Sequence, residues 1–185
     1  MTDNNFNMHY VCTHEEAQKL IDESNVFLVS NCGCRENKGN CERSRMDVCL
    51  SLVENNSGSG SNQHEVDRDF ANKLILEARE KLLVTRPFRD PENRNIIAGI
   101  CFCCDDCCSY FNDENEISDK GRYIEKTDLS RCTNCCLCVD ACFFKARTFK
   151  QDRLQIDSSR CYGCGNCRIV CSVNCIKMVE REKGK

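Results

Sequence analysis

Residues 132–142 read CTNCCLCVDAC and residues 161–171 read CYGCGNCRIVC. Both are C-x2-C-x2-C-x3-C, and each cysteine of the second copy stands 29 residues after its counterpart in the first. Three thiolates at two-residue gaps wrap a tight loop around one face of a four-iron cubane and reach three irons. The fourth cysteine opens a helix-like segment that points away, so in a duplicated motif it serves the other cluster. Zinc is the alternative, but zinc sites usually take two separated pairs of cysteine or histidine rather than three consecutive C-x2-C steps. A unit repeated only twice at this length indicates a pseudo-two-fold arrangement, not a solenoid. Between the copies, Thr148-Phe149 and Leu154-Gln155-Ile156 flank a turn and read as a small hairpin.

The rest of the chain bears this out as a cysteine-organised protein. It has 185 residues, 20 of them cysteine, 30% charged residues and no tryptophan. Without the cysteines the apolar share falls to about 30%, thin for two domains that must each bury a core. Metal centres or disulfides must supply the difference. No apolar stretch approaches the ~20 residues of a membrane span. Residues 1–10 lack the basic start and apolar run of a secretory signal. A cytoplasmic, reducing setting is therefore expected, in which dense cysteines bind metal rather than pair. Net charge is −3, divided as −10 over residues 1–119 and +7 over 120–185. A basic half could meet nucleic acid. The same lysines and arginines can offset anionic clusters, and the cysteine spacing favours that reading, with no nucleic-acid partner.

Ahead of the repeat, residues 13–23 read as a short helix with Thr13 and Glu16 as a capping box. Val26 to Val29 reads as a buried strand, and 55–62 (NNSGSGSN) as a flexible loop with nothing apolar to pack. Val66 to Val84 reads as the longest helix, with Val66, Phe70, Leu74, Ala78 and Leu82 on one face. Pro87 and Pro91 read as its stop signals. Ile96 to Ile100 is a second apolar run leading into cysteines. The acidic stretch 112–121 marks the domain boundary, which we place between 117 and 118.

Residues 122–180 resemble a bacterial-type ferredoxin with two [4Fe–4S] clusters. The likeness is strongest at Gly165 after Cys164 and at Val173-Asn174-Cys175-Ile176 after Cys171. It implies one cluster on Cys132, Cys135, Cys138 and Cys171, and another on Cys161, Cys164, Cys167 and Cys142. Three features depart from the pattern. Phe143 and Ser172 replace the proline that usually follows the fourth cysteine, Cys175 sits where alanine is common, and Cys136 is extra. Cys136 and Cys175 are expected to act as small buried side chains rather than ligands.

The first half holds ten cysteines. Nine form two groups: Cys32, Cys34, Cys41 and Cys49, then Cys101, Cys103, Cys104, Cys107 and Cys108. Cys32-Gly33-Cys34-Arg35, Cys49-Leu50 and Ile100-Cys101-Phe102-Cys103-Cys104 resemble a cysteine-rich module that precedes ferredoxin repeats in some anaerobe iron–sulfur proteins. The adjacent pairs Cys103-Cys104 and Cys107-Cys108 also resemble the paired cysteines of noncubane clusters in heterodisulfide reductases, without the glycine that follows them there. Nine thiols exceed the four a cubane needs. Either some are spectators, or the two groups meet around more than one cluster or a larger one. Zinc or plain thiol burial is the alternative. Cys12 lies outside both groups and reads as a spectator. Arg35 reads either as neutralising cluster charge or as an exposed ion pair. Phe143 and Phe144 read as core packing, and His9, His14 and His64 as surface residues. No dinucleotide fingerprint, Walker loop or nucleophile elbow is present.

These readings predict an α+β chain: residues 118–185 as a two-cluster ferredoxin fold, residues 1–117 as a small cysteine-rich domain, either α+β or mainly α. The expected cofactors are two C-terminal [4Fe–4S] clusters and at least one further N-terminal iron–sulfur cluster. The expected function is electron transfer with a protein redox partner, and no small-molecule substrate is evident. The rival readings are a redox enzyme or activase with an unusual N-terminal cluster, and a cluster-based redox sensor.

Overall fold

The computed structural model describes residues 6–54, 58–113 and 116–182. After β1 (His9–Tyr10), the Thr13 hydroxyl accepts the Glu16 N–H at 3.2 Å and the Glu16 carboxylate accepts the Thr13 N–H at 2.9 Å. This capping box starts α1 (His14–Glu23). β2 (Leu28–Ser30), α2 (Gly33–Lys38), β3 (Cys49–Ser51) and β4 (His64–Glu65) follow. The longest helix, α3, spans Arg68–Glu80 and is shorter than its apolar pattern. The Asp67 carboxylate caps it by accepting the Phe70 N–H, and Leu82, at φ 55°, turns the chain out of it. Val84 thus opens a strand, β5 (Val84–Arg89), which pairs with β6 (Ile97–Cys103).

Pro87 lies inside β5 and does not act as a stop signal. Thr85 accepts from Cys12 and Arg89 donates to Met8, both on the β1 side. Pro87, two residues from each, faces the same way. Its missing N–H therefore falls opposite a two-residue strand and removes no bond from the β6 ladder, whose one bulge lies beyond it between Phe88 and Arg89.

After α4 (Ser109–Asn112), β7 (Ser118–Asp119) completes a seven-stranded sheet in the order β4-β2-β3-β6-β5-β1-β7. All its pairings are antiparallel except β1 with β7. Ala17 and Ile21 of α1 and Ala71, Leu74, Ile75 and Ala78 of α3 bury against Leu50, Val84, Ile100 and Phe102 of the sheet. The N-terminal half is therefore α+β and not mainly α. The segment 58–62 is tied down by hydrogen bonds. Ser59 Oγ accepts from Gly33 N–H and donates to Cys49 Sγ, and Ser61 N–H donates to Glu36. The remainder of the expected flexible loop, 55–57, lies outside the described residues.

The C-terminal half contains β8 (Tyr123–Thr127), α5 (Leu137–Asp140), the hairpin β9 (Arg147–Lys150) and β10 (Arg153–Ile156), α6 (Asn166–Ile169) and β11 (Ile176–Glu180). β8 pairs with β11, and β9 with β10, both antiparallel. Left-handed backbone recurs at the motif spacing: Asn134, Cys136 and Lys145 in the first copy, Gly163, Gly165 and Asn174 in the second. Cys136 thus occupies the turn position that Gly165 fills in its counterpart, which accounts for it as a turn residue. The two halves pack together, for Phe143 and Cys164 belong to the same buried cluster as α1 and α3. Asn166 also donates to the Leu82 carbonyl at 2.6 Å.

Candidate metal centres

Each C-x2-C-x2-C loop ends in a four-residue helix, α5 or α6, and the chain then turns away. One cavity is lined by Cys132, Cys135, Cys136, Cys138, Cys171 and Cys175. A second is lined by Cys142, Cys161, Cys164 and Cys167. The fourth cysteine of each motif therefore faces the cavity of the other loop. Cys175 Sγ lies 3.5 Å from Cys171 Sγ and is buried, beside the ligand-type cysteines rather than among aliphatic side chains alone.

Gly163 is required by geometry. It sits at φ +85° between Cys161 and Cys164, where a Cβ would lie 2.1 Å from the Tyr123 carbonyl oxygen. Gly165 has a similar φ, but the nearest atom to its Cβ would be at 3.6 Å, and Cys136 shows that a side chain can hold that turn. Gly163→Ala is expected to push the loop off β8 and to remove iron from the cavity of Cys161. Gly165→Ala should retain it. Iron per chain and the electron paramagnetic resonance of the reduced protein distinguish the two.

In the N-terminal half, strand register brings distant cysteines together. Leu50 pairs with Ile100, which sets Cys49 opposite Cys101, and Arg86 pairs with Cys101 on the other side. Alternation along β6 puts Cys101 and Cys103 on the face opposite Ile100 and Phe102. A cavity of about 170 Å³ is lined by Cys32, Cys34, Cys49, Cys101, Cys103, Cys104, Cys107 and Cys108. The remaining member of the nine, Cys41, has its Sγ 3.6 Å from Cys104 Sγ. The two sequence groups thus meet in one region.

The crowding shows in the acidities. Hydrogen bonds from Cys108 and Cys32 hold Cys34 far below the usual thiol range, while Cys103 and Cys34 push Cys108 far above it. Cys101 brings Cys49 down to about 6. Such thiols share protons because they cannot all ionise side by side without a cation. Cys12, by contrast, is buried against Thr85 and burial raises it.

Three arginines stand among these cysteines, each 3% exposed or less. Arg35 is not in an exposed ion pair. Among the described residues no carboxylate lies within 4.0 Å of it, and its Nε has no hydrogen-bond partner. Its neighbours are Cys41, Cys32, Cys107 and Cys104. Arg86 lies near Cys103, Cys101 and Cys108, donates to Ser118 and Glu116, and stacks over Tyr110. Arg147 donates to Cys138 Sγ at 3.2 Å, lies close to Cys167, and leaves its own Nε unpartnered. Buried guanidinium groups with idle donors beside thiols fit anionic, thiolate-bound metal groups. The sequence singled out Arg35 alone, because it adjoins Cys34. Arg86 is brought to Cys101 by strand pairing, and Arg147 reaches Cys138 through the packing of β9 beside α5.

Two histidines differ from expectation. His14 is buried, and His9 lines the N-terminal cavity, where burial, Arg86 and Arg94 lower it to about 4. His64 is exposed. Phe143 is buried against Phe111, and Phe144 stacks on Tyr162 at 4.6 Å.

Residues 154–177 match the family described as Fer4, 4Fe-4S binding domain. The chain carries a ferredoxin-like iron–sulfur domain. That domain binds at least one [4Fe–4S] cluster, which makes the chain an iron–sulfur, metal-binding protein. It is also 30% identical over 93 residues to an Escherichia coli (strain K12) protein named "Putative oxidoreductase UacF", across 43% of this chain and 14% of the relative. The chain thus spans a small part of that relative's length. No solved structure matches it. Among the described residues no helix is long and apolar enough to cross a membrane.

Proposed function

We propose that the chain is an electron-transfer protein or subunit. Its C-terminal half would hold two [4Fe–4S] clusters, related by the 29-residue repeat, and its N-terminal cysteines a further iron–sulfur centre. The observation that carries this reading is the exchange of fourth cysteines between the two C-terminal cavities. The clusters, when bound, supply one-electron redox steps. Cys132, Cys135, Cys138 and Cys171 would ligate one, and Cys161, Cys164, Cys167 and Cys142 the other. Arg147 donates to a thiolate of the first set and adds positive charge near the second. Cys135 is exposed, and Leu137 and Phe149 beside it are 51% and 39% exposed. This apolar rim is the point where a protein redox partner would approach. The N-terminal centre would be held by Cys32, Cys34, Cys103 and Cys108, which Arg86 and Arg35 flank.

Cys142→Ser is expected to damage the cluster of Cys161, Cys164 and Cys167, and Cys171→Ser the cluster of Cys132, Cys135 and Cys138. Each should leave the other intact in resonance spectra and iron counts. Damage confined to the cluster of the mutated loop itself would refute the crossed assignment. Anaerobic analysis should give about eight irons per chain for the C-terminal pair alone and about twelve with an N-terminal cubane. A larger count, with a signal unlike a cubane's, favours the enzyme reading, for which the roomy cysteine-lined N-terminal cavity gives space.

A further inference from the structure

We propose that Cys41, Cys104 and Cys107 form a separate mononuclear metal site of the zinc type, with its fourth coordination position left to a non-protein ligand. The site itself does not depend on the electron-transfer reading; only the Cys34→Ser arm of its test rests on the N-terminal iron centre proposed there.

The geometry is that of one ion. Cys41 and Cys104 Sγ lie 3.6 Å apart, Cys104 and Cys107 Sγ 3.3 Å, and all three lie within 4.8 Å of one another. Thiolates bound tetrahedrally to zinc at ~2.3 Å stand roughly 3.8 Å apart. Thiolates on different irons of a cubane stand further apart, because the inorganic core lies between them. Among the described residues this is the trio of histidine, cysteine or acidic side chains whose donor atoms come so close. The cysteines around the two C-terminal cavities form no such trio.

The loops that carry the trio are built to fix it. Cys104-Asp105-Asp106-Cys107 is a C-x2-C turn in which backbone N–H groups of Cys107 and Asp106 point at Cys104 Sγ. The N–H groups of Arg43 and Ser44 likewise point at Cys41 Sγ. Such N–H···S bonds stabilise thiolates and aim them. Arg43 clamps Asp105 with two bonds of 2.9 and 3.0 Å, while Asp106 takes Lys38 and the Glu42 N–H. These ties join residues some sixty positions apart in the chain without any cluster.

Charge balance points the same way. Three thiolates and a divalent cation leave one negative charge. Arg35, fully buried and with no carboxylate partner among the described residues, neighbours Cys107, Cys41 and Cys104. The site together with Arg35 is then neutral. Closed structural zinc sites have four protein ligands, whereas three-ligand sites keep one position open. Here a fourth thiol is lacking, and Asp106 is already engaged by Lys38 and Glu42.

The test uses the full chain, purified anaerobically with its metals. Wild type should contain about one zinc per chain besides iron. Cys107→Ser and Cys41→Ser should each lose the zinc and keep the iron, while Cys34→Ser should lose iron and keep the zinc. No zinc in wild type, or joint loss of iron in Cys107→Ser and Cys34→Ser, would overturn the separate site. Cobalt exchanged into wild type gives a readout that needs no variant. With the clusters oxidised, its resonance should report a thiolate-rich high-spin ion, and added cyanide or imidazole should shift it. A cobalt signal insensitive to both would rule out the open position.

Discussion

Stripping iron from the holoprotein with a chelator is expected to unfold much of residues 122–182 while the N-terminal sheet keeps a cooperative melt. The reason lies in what the C-terminal half buries. One of its clusters consists of Cys138, Leu154, Cys167, Cys175 and Ile176, the other of Cys142, Ala146 and Cys161. Only Leu154 and Ile176 are large aliphatic side chains, each contributing about 1.5–3 kcal/mol. Ordering the backbone costs roughly 1–2 kcal/mol per residue, so these contacts fall far short. Metal binding supplies the difference in such domains, because no preformed site survives in the unfolded chain. The N-terminal half has instead a continuous core from α1, α3 and the sheet. Amide exchange gives the resolution needed. In the iron-free protein, β8 and β11 should lose protection, while β5 and β6 retain it. Residues near Cys164 and Asn166 should be affected least, since they pack on the N-terminal core. Protected β8–β11 amides in iron-free protein would show that the apolar contacts suffice.

The parts of the molecule that were legible in the sequence are those fixed by local chemistry. The capping box of Thr13 and Glu16, the β9–β10 hairpin and the duplicated motifs each need only residues close in the chain. Helix α3 was legible as a helix but not in its ends, because Asp67 and Leu82 override an apolar pattern that runs on through both. Pro87 was misleading for a tertiary reason: its tolerance depends on how short β1 is. The polar segment 58–62 looked unstructured because it is held by hydrogen bonds to α2 and β3, which leave no hydrophobic signature. The pooling of the N-terminal cysteines is one of the two arrangements that an excess of thiols over the four of a cubane leaves open. Their division into a compact trio and a remaining set was not legible, since it depends on which side of β6 and which end of the Cys104–Cys107 turn each thiol occupies.

Replacing Arg147 with methionine is expected to produce a large effect on both the stability and the redox behaviour of the C-terminal half while leaving every cysteine in place. Arg147 is 1% exposed and pairs with Glu125, itself buried, as well as with Thr127. Methionine fills similar volume but leaves the Glu125 carboxylate without its cation. Breaking one side of a buried pair in this way costs about 3–5 kcal/mol. Glu125→Gln in the same chain removes the orphan charge, so the double variant should regain most of that stability, as read by denaturant unfolding of the iron-loaded protein. The redox behaviour should not follow the stability. Arg147 donates to Cys138 Sγ and places positive charge near Cys167, and these cysteines line different cavities. Losing that donor and charge favours the less negative, oxidised state of both clusters, so both midpoint potentials should fall in Arg147→Met. In the double variant the net charge is restored but the N–H···S bond is not. The potential of the cluster on Cys138 should therefore stay below wild type after stability has returned. Arg147→Lys keeps the charge without the planar fork, and should preserve the potentials better than the pairing with Glu125 and Thr127. Unchanged potentials in Arg147→Met, alongside the expected loss of stability, would reduce Arg147 to a structural counterion of Glu125.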